Sequence, residues 1–335
     1  MRFGLFGGAR SSGDGPAGDS LGYRNYIDYV LHAEALGFHS VFVVEHHFTG
    51  VGQVSASLGL LSYLAGRTSR IRLGTAVVVL PWHNPVLLAE QAATLDLVSG
   101  GRFDFGVGKG YRESEFAGFG IPASEADERF EETIAFLRAA WGVEGRFSHR
   151  GKHWAFDNIV IEPRPTQRPY PPLWIAAGRD ESIRRAAADG ISLLLDQIAP
   201  VDQILHRVRV YREELARVGR EARPHQIAVA RALHLVANDD EERKALELRA
   251  RVIRNIGALA RGPGAERYVN PPSHAEADLA REDSPLLGTP KQIIARLRRL
   301  EAGGVDYVLL VDPTGSKEAL STFAREVMSQ FCEPE

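Results

Sequence analysis

Short runs of β-branched and aromatic residues alternate along the chain with longer stretches whose apolar positions recur every three or four residues, and turn residues separate the two. This is the pattern of parallel βα units, in which each strand is covered on both faces and each helix buries one stripe. Strands are predicted at 2–6, 40–44, 71–79, 102–107, 173–177, 192–196, 227–236 and 306–311. Helices are predicted at 21–36, 55–65, 125–141, 180–188, 201–218, 239–260 and 290–302, with 317–331 closing the chain. A further helix is read from its punctuation: Asn84 as cap, Pro85 in the first turn, Gly100 and Gly101 as the stop. Eight βα units predict a closed (β/α)8 TIM barrel in preference to an open sheet.

Two stretches interrupt the repeat. Residues 142–172 carry Arg150-Gly151-Lys152 and the run PRPTQRPYPP, which predicts a short hairpin and an extended connector inserted outside the barrel. Residues 261–288 are a long excursion punctuated by Gly and Pro, the kind of loop that serves as a lid. These insertions absorb the length beyond an ordinary barrel of ~250 residues, so residues 1–335 are expected to form one α/β domain.

Composition narrows the chemistry. With 44% hydrophobic and 25% charged residues there is ample material for a core, and 40 Lys+Arg against 43 Asp+Glu leave a net charge of −3. That balance offers no basic footprint for nucleic acid and no polybasic membrane anchor, so small ligands are the expected partners. Cys332 is the only cysteine, which excludes an internal disulfide and a Cys-based metal cluster and fits a reducing cytoplasm. No stretch approaches the ~18 apolar residues of a membrane span, and the opening residues lack the pattern of a secretory signal.

In a barrel of this kind the site is built from loops at the C-terminal ends of the strands. The second strand delivers Glu45, His46 and His47 there. Two imidazoles beside a carboxylate suit general acid/base work near neutral pH, though the same residues could simply cap the strand. Metal binding is disfavoured, since neighbours in an extended segment point opposite ways and no His-Glu-x-x-His or Cys/His spacing occurs. The fourth loop turns on Gly106, Gly108 and Gly110 around Lys109. Glycines let backbone N–H groups approach an anion and the ammonium adds charge, so phosphate is the natural guest. Lysine is scarce here, five in the whole chain, which makes one at the rim more telling. The fifth loop runs through Gly178 into a helix that starts near Asp180, with Arg179 and Ser182 in its first turn, a second possible phosphate seat. Phe6 and Phe48 are expected to line an apolar pocket.

Three segments carry a family resemblance: VEHHFTGVG at 44–52, IRLGTAVVVLPWHNPVLLAEQAATLDLVSGGRFDFGVGKGY at 71–111, and RGKHWAF with PRPTQRPYPPLWIAAG between 150 and 178. They resemble the bacterial luciferase-like flavin monooxygenases, essentially end to end. The resemblance implies a (β/α)8 barrel that binds FMN at the strand C-termini, usually as a dimer. Reduced FMN from a separate flavin reductase would react with O2 to a C4a-hydroperoxyflavin that oxygenates a small organic substrate. His46 matches the family's catalytic histidine, with Glu45 and His47 beside it. Lys109 stands where the family commonly has an arginine on the FMN phosphate, and Gly178, Arg179 and Ser182 match its phosphate-binding turn. Ala76 and Val77 match the site of a non-proline cis peptide beneath the flavin ring, while Gly108 replaces the reactive cysteine of the light-emitting subunits, so luminescence is not implied. Three other readings stay open: an F420-dependent hydride-transfer oxidoreductase, a non-catalytic flavin-binding protein, and a sugar-phosphate isomerase, for which Asp312 is the only clear carboxylate candidate near Val311 to Lys317. No dinucleotide fingerprint occurs, which assigns NAD(P)H to the reductase partner.

Overall fold

A computed structural model describes residues 1–13, 15–50, 52–259 and 283–331. In chain order its strands are β1 Arg2–Gly7, β2 Ser40–Val43, β3 Arg72–Thr75, β4 Val78–Val79, β5 Phe103–Gly108, β6 Phe147–Arg150, β7 Ala155–Ile159, β8 Leu173–Ala176, β9 Ser192–Leu195, β10 Ile227–Leu235, β11 Leu286–Gly288 and β12 Tyr307–Val311. Around them lie α1 Gly15–Ala35, α2 Ser57–Ala65, α3 Pro85–Val98, α4 Glu113–Gly118, α5 Ala126–Gly142, α6 Asp180–Asp189, α7 Val201–Arg217 and α8 Asp239–Leu259, followed by helices Pro290–Ala302 and Lys317–Glu326. The parallel pairing runs β1-β2-β3-β5-β8-β9-β10-β12 and returns from β12 to β1, a closed eight-stranded barrel. All eight expected strands are its staves.

Alternation along the strands makes two apolar layers. Phe42, Trp174, Leu194, Ala228, Tyr307 and Leu309 point inward and fill the barrel, while Val41, Val43, Leu193, Leu195, Val229, Val308 and Leu310 point outward beneath the helices. The barrel is therefore a packed core and not a channel. Its N-terminal end is closed by polar pairs: Arg72 donates to both carboxylate oxygens of Asp104 at 2.7 and 2.9 Å, and Ser40 meets the Tyr307 hydroxyl. The α3 cap forms as its sequence requires, with Asn84 Oδ1 accepting from the Val86 and Leu87 amides.

Element boundaries differ in detail from the expected ones. The single strand expected at 71–79 is two pieces, β3 and β4, separated by a cis peptide between Ala76 and Val77. The first helix starts at Gly15, six residues earlier than 21, and the closing helix stops at Glu326 before a 3-10 turn Met328–Gln330. The insertion holds an antiparallel β6–β7 ribbon that pairs with no barrel strand. Most of the expected lid, 261–282, lies outside the described residues; its last three positions form β11, which extends β10 beyond the barrel end.

Candidate functional site

Chain geometry at the end of β2 sorts the three adjacent ionisable residues into different partnerships. Glu45 is buried, and its Oε1 accepts from His47 Nε2 at 3.2 Å, His83 Nε2 at 2.8 Å and Trp82 Nε1 at 3.0 Å. Burial alone would raise this carboxyl, but the three donors outweigh it and hold it down at about 2. Glu45 is thus a permanent anion that fixes two imidazoles and an indole. His46 turns the other way. Its Nδ1 lies 3.1 Å from Glu115 Oε1, and the same oxygen accepts the His47 amide at 2.9 Å. A carboxylate only accepts, so Nδ1 carries the hydrogen and Nε2 keeps its lone pair. Burial pushes the His46 pKa down and the Glu115 hydrogen bond opposes it, so the imidazole is neutral at neutral pH, with Nε2 as the basic nitrogen.

Glu115 and its neighbour Arg112, whose Nη1 is 3.6 Å from the same oxygen, sit on or beside α4. The sequence reading missed this element because six residues show no period. The available signal was the pair of acids in RESEF directly after the glycine loop. Trp82 and His83, in the turn after β4, were passed over as well.

An aromatic wall stands above. Trp82 and Phe119 stack at 5.2 Å and 20°, Phe119 meets the His47 ring at 4.8 Å, and Phe48 reaches Phe119 at 5.1 Å. Phe48 has a positive φ of 54° and is 61% exposed, the most solvent-facing large apolar side chain described. Phe6, Ala76 and Val77 are half-buried and pack on the inner layer, so they form the apolar floor of the mouth. Glycine is required where that floor meets β5, since a Cβ on Gly108 would stand 2.5 Å from Val77 Cγ2.

The cationic corner is lined by carboxylates as well as cations. Lys109 Nζ lies 2.6 Å from Asp127 and 3.9 Å from Glu131, both on α5. Arg185 on α6 takes the other oxygen of Glu131 at 2.6 Å. Arg179 is the exposed N-cap residue of α6, Ser182 is half-buried in its first turn, and Gly178 precedes them. Asp312 accepts from the Tyr29 hydroxyl and from the Thr314 and Ser316 amides, which ties it to the turn after β12. Among the described residues no three His, Cys, Asp or Glu side chains are grouped to hold a metal ion, and no helix is long and apolar enough to cross a membrane.

The chain is similar over most of its length to known monooxygenases. The oxygenase component of the flavin-dependent trigonelline monooxygenase of Acinetobacter baylyi is 28% identical, covering 99% of this chain and 96% of that protein. An FMNH2-dependent dimethylsulfone monooxygenase of Pseudomonas putida is 28% identical over 78% of this chain and 74% of its own length. The crystal structure of the monooxygenase RslO1 from Streptomyces bottropensis superposes with a TM-score of 0.84 at 26% identity, covering 99% of this chain and all of that one. The chain spans 61% of the length of the first curated relatives it matches. The family model for luciferase-like monooxygenases matches residues 1–307, and the chain belongs to that family.

Proposed function

We propose that this protein is the oxygenase component of a two-component, FMN-dependent monooxygenase acting on a small apolar organic substrate. The observation that carries the reading is His46, kept neutral by burial and oriented by Glu115 at the rim of a floor built from Phe6, Ala76 and Val77. Gly108 lets β5 pack closely under that floor, since a Cβ there would stand 2.5 Å from Val77 Cγ2. Lys109, with Gly178, Arg179 and Ser182 at the start of α6, would hold the phosphate.

When bound, reduced FMN supplies two electrons to O2, so that one oxygen atom enters the substrate and the other leaves as water. The chain's own residues do the rest. Phe6, Ala76 and Val77 would exclude water from a bound flavin, and the wall of Phe48, Trp82 and Phe119 would offer an apolar surface to the substrate. His46 Nε2 takes or returns a proton at the reacting oxygen, while Glu45 fixes His47 and His83 around it. The relatives act by name on different compounds, trigonelline in one case and dimethylsulfone in the other. The wall rather than the catalytic pair is therefore where selectivity would reside.

A separate flavin reductase and a homodimer belong to this reading. The exposed apolar side chains Tyr63 on α2 and Leu87, Leu97 and Val98 on α3 lie on two helices that pack side by side, a face suited to a second copy. The test is parallel titration with FMN and F420, followed by turnover with chemically reduced FMN under 18O2. Preferential FMN binding and label in the product are expected; tight F420 binding without FMN binding would replace this reading by hydride transfer.

A further inference from the structure

We propose that Asp127 competes with the flavin phosphate for Lys109, so that the protein exchanges its flavin instead of retaining it. The inference rests on the FMN reading and concerns how firmly that site holds its guest. Lys109 sits at the rim, and its ammonium is in hydrogen-bond contact with Asp127 at 2.6 Å, with Glu131 at 3.9 Å. The next cation along, Arg185, is matched by the other oxygen of Glu131 at 2.6 Å. At the start of α6, Asp180 and Glu181 add two carboxylates, one of which pairs with His206 at 3.0 Å. Lys109 and Arg185 are thus each paired with a carboxylate before any phosphate arrives.

The geometry shows how the exchange proceeds. Asp127 is 70% exposed and Lys109 33% exposed, so their pair is a solvent-facing one. Exposed pairs of this kind are weak and screened by salt, which lets an arriving phosphate displace the carboxylate. The Asp127 side chain swings into water, while Glu131 stays beside the ammonium, held from its far side by Arg185. Lys109 suits this exchange better than a forked guanidinium, since a compact ammonium can change partners without losing a bidentate geometry. The consequence is a phosphate contact whose strength is set by competition. A flavin that must arrive reduced from another protein and leave oxidised benefits from that arrangement.

The test compares FMN with riboflavin, which lacks only the phosphate, by fluorescence titration of the wild type, Asp127→Asn, Lys109→Met and the double variant. Asp127→Asn should tighten FMN binding about two- to fivefold, the weight of an exposed pair, and leave riboflavin unchanged. The gain should shrink at high salt and vanish in the Lys109→Met background. An unchanged FMN affinity, or an equal gain for riboflavin, overturns the competition while leaving the flavin reading intact. Failure of the wild type to bind either flavin overturns both.

Discussion

His46 Nδ1 and Glu115 Oε1 are 3.1 Å apart although 69 residues separate them, and that contact decides which imidazole nitrogen can act as a base. Removing the histidine should therefore separate chemistry from binding. His46→Ala is expected to lose turnover by about 10²–10⁴-fold while keeping FMN affinity, read by steady-state kinetics and flavin titration. Loss of binding in place of turnover would assign His46 to structure.

Glu115→Gln tests the same contact through pH. The carboxylate favours the charged imidazole, so its removal lowers the His46 pKa further. If neutral His46 is the active form, the acidic limb of kcat/KM moves to lower pH, and an NMR titration of the His46 ring moves with it. The rate should fall by about ten- to a hundredfold as the ring loses its orientation, and Glu115→Asp should recover part of it.

Glu45 gives the fold an acid sensitivity. Its folded value of about 2 lies below the ordinary 4.5, so it stabilises the native state fully above pH 4.5 and loses that contribution as pH falls toward 2. A shift of this size is on the order of 3 kcal/mol. Urea unfolding followed at pH 7, 5 and 3.5 should show stability falling mainly across the last interval, and Glu45→Gln should be weaker at pH 7 with a flatter profile. An unaltered slope would contradict the assignment.

Gly108→Ala places a methyl group against Val77. Overfilling of this kind costs about 1–3 kcal/mol, and here it should deform the floor of the mouth. Thermal melting should report the loss in stability, and weaker binding of riboflavin as well as FMN would show that the ring contact, common to both, is affected.

Asp196 is half-buried between arginines at the end of β9. Its side chain accepts from Arg207 at 2.8 Å, and its backbone carbonyl from the fully buried Arg231 at 3.0 Å. Burial raises its pKa, but Arg207 and the Ile198 and Ala199 amides lower it further, so it is an anion. Asp196→Asn leaves buried guanidinium charge uncompensated and should cost about 3 kcal/mol, measured by urea denaturation. A change below 1 kcal/mol would show that the arginines find other partners.

The order of strands and helices is written in the sequence because it rests on local periodicity. Apolar runs at 192–196 and 306–311 and capped helices such as the one after Asn84 need only neighbouring residues to be recognised. Glu45, His46 and His47 could be placed at the rim for the same reason, as the end of a strand. What the sequence could not give is pairing at a distance. That His46 belongs with Glu115 and not with Glu45, that Trp82 and His83 hold Glu45, and that Lys109 meets Asp127 all depend on loops from different βα units converging on one end of the barrel. Alternation along the chain sets which way each side chain points; only closure of the barrel through β12 and β1 sets what it meets there.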